Sequence, residues 1–505
     1  MSRQPNVLFL LSDQHSAKCM GVAGHEIVKT PNLDQLAAEG VCFDCAITQS
    51  PICTPSRVSM LSGQYVHNHG LYGIGGVAPA VKLPTIFGHF RAGNYRTAAI
   101  GKIHCPFGWV DADCDLFLGQ EFDDYPPPRE FSDYDLYLKD KGLLAKRDDL
   151  AYPEQKHKDR QSKDGRCSEL DYPDSVEGWC AEQARRFIED SGQRPWFMQV
   201  SFPRPHQIYS PAAQFWQMYD DNLPMPPNAD IDLSLKPPHL RKTRQSQEQG
   251  QEEILFGEKT YRALRQRKLR GYYGLVSQTD HAIGEILQFL RDQQLENDTI
   301  VVYTSDHGEY ACEFGLLEKA PGICSDAVTR VPQIWRWPGQ IKSGHRSNRI
   351  VESIDIATTC ASLASMDGFN GSDGKNISPL LRGEDIEVHR VGVTEHPWSK
   401  SIRKGRWRLV HYPREMFADD SPEGPVGELY NLHEDPWEMN NLFYQGDYQD
   451  TVNELRSDLL DWMVTTCRIS SSIPSLPAEQ IAHDGRVSAE TVCDLLRAHG
   501  LRNYL

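Results

Sequence analysis

Two uninterrupted apolar runs of strand length constrain this chain most: Asn6-Val7-Leu8-Phe9-Leu10-Leu11-Ser12 and Thr299-Ile300-Val301-Val302-Tyr303-Thr304-Ser305. Neither shows the alternation of a half-solvated strand, and both suit a parallel sheet buried on its two faces. Each runs straight into polar residues, Asp13-Gln14-His15 after the first and Asp306-His307-Gly308-Glu309 after the second. The C-terminal ends of such strands are where α/β sheets hold ligands. From the residues alone, Asp13 suits a helix cap as well as a ligand site. Residues 95–101 and 195–202 read as further strands of the sheet. The first delivers Lys102 and His104, which share one face of an extended segment. The second leads into Pro203-Arg204-Pro205-His206, where Arg204 is a pocket cation or a surface one.

Between these strands the pattern turns helical. Residues 30–40 have a cap, an early Pro, apolar residues at helical spacing and a closing Gly40; residues 175–188, 270–294 and 353–364 also read as helices. Residues 111–175 and 225–258 lack such order and read as excursions, the second with a helical connector as its alternative. His67 and His69 are one residue apart, which suits a strand or loop, and they read as pocket-wall or structural residues. Beyond about residue 373 short strands take over at 391–395, 407–412 and 428–432. A chain of 505 residues exceeds one hydrophobic core. The expected division is therefore an α/β domain at 1–373, an α+β domain at 374–470 and a tail at 471–505. That tail carries a helix at 488–498 and is expected to pack on another subunit.

The stretch Ser50-Pro51-Ile52-Cys53-Thr54-Pro55-Ser56-Arg57 reads as a helix start, with Pro in the first turn and Gly63 stopping the helix one and a half turns on. Cys53 would then lie near backbone N–H groups and a guanidinium. A buried structural thiol and a reactive one facing an anion are both open there. Cys42-x-x-Cys45 has no second metal-type pair and reads as core thiols. Thirteen cysteines, odd in number and irregularly spaced, fit a reducing compartment. The N-terminus lacks the features of a signal peptide, and no apolar run reaches membrane-spanning length, so the chain reads as cytoplasmic. A formal charge of −17 argues against a nucleic-acid partner and requires any anion site to be a local basic patch.

Cys53-x-Pro55-Ser56-Arg57, downstream of a strand ending in Asp13 and followed by Gly101-Lys102-Ile103-His104, resembles the signature of the formylglycine-dependent (type I) sulfatases, a branch of the alkaline phosphatase superfamily. The resemblance runs from about Asn6 to about Phe443. It implies a large mixed, mostly parallel sheet flanked by helices, which a strand at 330–339 closes, and a smaller C-terminal α+β domain carrying an antiparallel sheet. Asp435-Pro436-x-Glu438 with Asn440-Asn441-Leu442 resembles the usual ending of that domain. The implied activity is hydrolysis of a small-molecule sulfate ester by an arylsulfatase-like enzyme; the acidic charge and the short apolar runs argue for no nucleic-acid and no membrane partner, and the tail for a homo-oligomer.

The resemblance also implies roles. Cys53 is converted to formylglycine by a maturation enzyme, and a hydroxyl of its hydrate is the nucleophile. Asp13, Gln14, Cys53, Asp306 and His307 hold one divalent metal ion, calcium or alternatively manganese. Arg57 activates the nucleophile, while Lys102, Lys319 and His206 surround the transferred group. His206 is the expected acid toward the leaving alcohol and His104 the expected base. Two departures stand out: Gln14 replaces the second Asp of many sulfatases, and His307 replaces a frequent Asn. Some phosphonate monoester hydrolases and choline-type sulfatases are similar at Gln14, and phosphonate monoester hydrolases typically lack the Lys102/His104 pair. A phosphonate monoester or phosphodiester hydrolase is thus the alternative, and a non-catalytic anion-binding homologue with unconverted Cys53 is a third reading.

Overall fold

A computed structural model describes residues 4–74, 83–106, 108–121, 131–147, 165–252, 261–319, 324–413 and 426–468. The tail at 471–505 and its helix at 488–498 lie outside them. The main sheet contains β1 (Asn6–Asp13), β2 (Val41–Ile47), β3 (Arg96–Gly101), β4 (Leu116–Gly119), β5 (Trp196–Pro205), β6 (Thr299–Ser305), β7 (Arg330–Val331), β8 (Gln333–Arg336) and β9 (His345–Glu352). Its spatial order is β4-β3-β5-β1-β6-β8-β2-β7, with β9 also paired to β2. The pairs β1–β5, β1–β6, β3–β4, β3–β5 and β2–β9 are parallel, whereas β7 and β8 run antiparallel to their neighbours. The sheet is therefore mixed and mostly parallel.

β1 lies inside this sheet with every residue buried. Val7, Phe9 and Leu11 pack with Val58, Phe87, Phe90 and Ile356 on one face. Leu8 and Leu10 pack with Trp179, Ala184, Ile283 and Ile286 on the other. Helices Cys53–Ser62, Ile86–Ala92 and Asp355–Leu363 thus cover one side, and Val176–Ser191 and Tyr261–Asp292 the other. Residues of alternate parity feed opposite cores, which is why the run must be apolar throughout. The register of β1 on β6 sets Ser12 beside Ser305, so Asp13 and Asp306 leave the sheet side by side.

A second, antiparallel sheet follows in the C-terminal part: β10 (Gly392–His396), β11 (Ser399–Lys404), β12 (Trp407–His411) and β13 (Gly427–Asn431), in that order. Val393, Ile402, Leu409 and Leu429 pack against Val452, Leu455 and Trp462 of helix Gln449–Thr466. No helix among the described residues is long and apolar enough to cross a membrane.

Several expectations need correction. The helix at Cys53 runs ten residues, Cys53–Ser62, because it begins at Cys53 itself. His67 and His69 sit in a short helix, Val66–His69, rather than a strand or loop. The strand expected at 330–339 is split at Pro332, which has no N–H to give the ladder. The excursion at 111–175 contains the edge strand β4, and the long helix starts at Tyr261 rather than 270.

Gly308 ties the end of β6 to the segment beside it. Its N–H donates to Val328 O at 2.9 Å, and a Cβ there would lie 2.0 Å from Ala327 O. Gly308→Ala is expected to cost about 1–3 kcal/mol through this clash with fixed backbone. Urea unfolding measures it, and unchanged stability would show that the two segments are not locked.

Candidate active site

The helix Cys53–Ser62 projects its first residue into the space beyond β1 and β6. Ile52 is extended, Pro55 lies in the first turn, and Gly63 ends the helix at φ 69°. Thr48 Oγ1 and Ser56 Oγ both donate to Asp306 O, at 2.6 and 2.5 Å, and fasten the helix start to the end of β6. Arg57, 1% exposed, donates from Nε to Asp306 Oδ2 at 2.9 Å, from Nη2 to Asp13 Oδ2 at 3.2 Å, and from Nη1 to Lys102 O and Ser201 Oγ at 2.7 and 2.9 Å. Burial opposes its charge, but Asp306 and Asp13 outweigh that and raise its pKa. These four bonds all go to the frame of the site.

Asp13, Cys53, Asp306 and His307 each offer one ligand atom, and these atoms lie within 4.8 Å of one another. His307 Nδ1 is 2.9 Å from Gly308 O, which leaves Nε2 facing Cys53 Sγ at 3.3 Å. Gln14 holds a left-handed backbone, φ 68°. Its N–H donates to Asp306 Oδ1 at 3.0 Å and its carbonyl accepts from Tyr272 Oη at 3.0 Å. Lys319 Nζ lies among these groups, 2.8 Å from Cys53 Sγ, 3.2 Å from Gln14 Oε1 and 2.9 Å from His307 Nε2. An ammonium thus lies against the electron pairs of an amide, an imidazole and a thiol. With two carboxylates beside them, the set fits a divalent cation such as calcium or manganese.

Lys102 Nζ is 2.8 Å from Asp13 Oδ2 and 3.5 Å from Glu121 Oε1. Burial opposes ionisation of Asp13, yet Lys102, His206, Arg57 and Lys319 together hold its carboxyl well below the usual range. At Cys53, burial and Asp13 oppose the thiolate, but Lys319, Lys102 and His307 prevail and depress the thiol strongly. The other buried thiols go the opposite way: burial pushes Cys42 up to about 11 and Cys19 and Cys312 up to about 12. The Cys42 and Cys45 thiols are core residues of β2, as expected.

His104, at φ 49°, hydrogen-bonds Cys53; burial and Lys102 lower its pKa, but this bond and Glu121 raise it overall. His206 follows β5, and its N–H donates to Asp13 O at 3.1 Å. Burial, with Lys102 and Lys319, lowers its pKa to about 3 against the pull of Asp13. Its Nδ1 lies 2.8 Å from Gln207 O. Arg204 is not a surface cation: it is buried and donates to His206 O and Gln207 O at 3.2 and 3.0 Å, fixing that turn, and it lines a cavity with Tyr134, Glu177 and Ser210. His67 pairs with Glu395 Oε1 at 2.9 Å and His69 with Ser59 Oγ at 2.9 Å, both structural contacts.

Four contributors went unseen in the sequence. Ser201, Tyr272 and Glu121 carry no local signal, because only tertiary pairing brings them to Arg57, Gln14 and Lys102. Glu309 had one, two residues after His307. Its Oε1 accepts from Glu318 N–H at 2.6 Å and Ala311 N–H at 3.2 Å, and its Oε2 from Gln14 Nε2. Burial and Glu318 push its carboxyl up to about 7 against these bonds.

The family model described as Sulfatase matches residues 5–366, and that of the N-sulphoglucosamine sulphohydrolase C-terminal region matches 312–465. The chain is 27% identical over 484 residues to the uncharacterized sulfatase YidJ of Escherichia coli (strain K12), covering 91% of this chain and 87% of that one. It is 26% identical over 477 residues to an arylsulfatase of Clostridium perfringens, covering 90% and 94%. Among solved structures, a phosphonate monoester hydrolase from Silicibacter pomeroyi superposes with a TM-score of 0.77 at 22% identity, over 96% of this chain and 99% of that one.

Calcium or manganese added to metal-free protein is expected to raise its thermal midpoint, with about 2.7 kcal/mol of stabilisation at a hundredfold excess over Kd. Asp13→Asn with Asp306→Asn should abolish the shift. Burial and Lys319 lower the pKa of His307, but Asp306 and Cys53 raise it overall. A cation and a proton compete for its Nε2, so the affinity is expected to fall as the pH drops. Calorimetry in two buffers of different ionisation heat measures the release; affinity independent of pH would remove His307 from the ligand set.

Proposed function

The chain belongs to the sulfatase family, and from that premise we propose that it hydrolyses a sulfate monoester to an alcohol and inorganic sulfate. The nucleophile would reside at residue 53, after a maturation enzyme converts Cys53 to formylglycine. The observation that carries this reading is the setting of Cys53 Sγ: buried at a helix start, 2.8 Å from Lys319 Nζ, 3.3 Å from His307 Nε2 and 3.9 Å from Asp13 Oδ1.

Asp13, Gln14, Asp306 and His307 would hold the divalent cation together with residue 53. When present, the cation supplies Lewis-acid stabilisation of negative charge, and hydrated formylglycine supplies a hydroxyl nucleophile. Lys102 and Lys319 keep their protons, because in each case the nearby anions outweigh burial. They are placed to bind the anionic head group and stabilise charge as it builds on the transferred oxygens. Arg57 fixes Asp13 and Asp306 rather than touching substrate.

His206 is the group for the leaving alcohol. With Nδ1 donating to Gln207 O, its Nε2 carries the lone pair. A bound anion raises the proton affinity of this imidazole, so with substrate in place His206 would take up a proton from solvent at Nε2 and pass it to the leaving alcohol. His104, beside residue 53, would act as the base in the second half of the reaction.

A phosphonate monoester or phosphodiester substrate is the second reading. Gln14 and His307, the two departures from the usual sulfatase residues, favour it; Lys102 and His104 favour sulfur.

Cys53→Ala is expected to lower aryl sulfate turnover by a factor on the order of 10³ or more while cation binding persists through the other ligands. Full activity in that variant would end the proposal, as would active protein whose residue-53 peptide shows only unmodified thiol mass. Parallel assays with aryl sulfate, phosphonate monoester and phosphodiester decide between the readings. His206→Ala should cost about 10²–10⁴-fold on alkyl sulfates and much less on aryl sulfates with good leaving groups; equal losses would assign the acid elsewhere.

A further inference from the structure

We propose that Glu309 is a positioning residue that aims the Gln14 carbonyl oxygen at the cation site, and that only a carboxylate accepting on both sides achieves this there. The inference rests on the reading of Gln14 as a ligand of a divalent cation.

Gln14 presents two chemically opposite ends to its neighbours. Oε1 accepts from Lys319 Nζ at 3.2 Å, and Nε2 donates to Glu309 Oε2. An ammonium can only donate and an ionised carboxylate can only accept, so with Glu309 ionised the two neighbours dictate the amide's orientation from both ends. Glu309 is 1% exposed. Its second oxygen, Oε1, is held by the backbone N–H groups of Glu318 and Ala311, at 2.6 and 3.2 Å, in the segment that leads to Lys319. The same side chain therefore sets the amide and fastens the loop carrying the neighbouring ammonium.

A neutral amide at position 309 cannot reproduce this. Its oxygen must stay on the two backbone donors, which cannot turn away, so its NH₂ faces Gln14. Two NH₂ groups then oppose each other, and the relief available is for the Gln14 amide to turn over. Its NH₂ would then point where electron pairs converge, replacing a ligand oxygen by a group that repels a cation.

The test titrates manganese into metal-free protein, read by calorimetry and by the electron paramagnetic resonance signal of the free ion. Glu309→Gln is expected to weaken binding about 10–100-fold. In a Gln14→Glu background the same substitution should hold or tighten binding, because the introduced amide now donates to the introduced carboxylate and leaves its other oxygen for the cation. Loss of equal size in both backgrounds overturns the inference, since removing a negative charge would produce that without any amide rotation. Wild-type protein that binds manganese while Glu309→Gln binds it equally well overturns this inference alone. Wild-type protein that binds no manganese, calcium or magnesium overturns the cation reading and this inference with it. Should Glu309→Gln alone not fold, the comparison of Gln14→Glu with the double variant decides: weaker binding in the double variant overturns the proposal.

Discussion

One guanidinium holds the two halves of this site together. Arg57 lies with no side-chain exposure between Asp13 and Asp306, bonded to a carboxylate from each of two adjacent parallel strands. Two carboxylates at the ends of β1 and β6 would repel each other in an interior of low dielectric. The buried cation offsets that repulsion and fixes both side chains, and its remaining donors reach the Lys102 carbonyl and Ser201. Removing one partner from a buried pair of this kind typically costs about 3–5 kcal/mol, because an uncompensated charge stays behind. Strand register brings the carboxylates together, and Arg57 makes that register electrostatically tolerable.

The chain is strongly acidic overall, yet Arg57, Lys102 and Lys319 concentrate positive charge around Cys53. A molecule with a formal charge of −17 repels anions at long range. Recognition of an anionic head group must therefore come from short-range contacts in the pocket, where little water remains to screen them. The contrast among the thiols shows how local this is: ordinary burial raises Cys19, Cys42 and Cys312, while Lys319, Lys102 and His307 reverse the sign at Cys53.

Much of this was legible in the residues. Strands buried on both faces are continuous apolar runs, so β1 and β6 declare themselves, and the polar residues at their ends converge with Cys53, Lys102, His206 and Lys319. The strands β2, β4 and β9 stayed hidden for a physical reason. β4 is four residues at an edge, three of them half-covered, and β9 reads His345-Arg346-Ser347-Asn348-Arg349 before Ile350 and Val351. β2 carries Asp44 between two cysteines. Their strand character comes from pairing with neighbours already in place, which leaves no local pattern. The same holds in the site: Ser201 and Tyr272 act through partners far away in sequence, and Glu309 acquires meaning once its loop folds back on Gln14.

Cys53 is 1% exposed in the folded chain, and one wall of its chamber, Asp306 through Lys319, is translated some 250 residues after it. On the proposed reading, a protein catalyst that rewrites this side chain could not reach it through the closed architecture. It would have to capture the pentapeptide while the segment is still extended, in the interval between its appearance and the arrival of β6. Folding speed and covalent editing would then be set in competition, and a chain that closed too soon would seal in its own unconverted thiol.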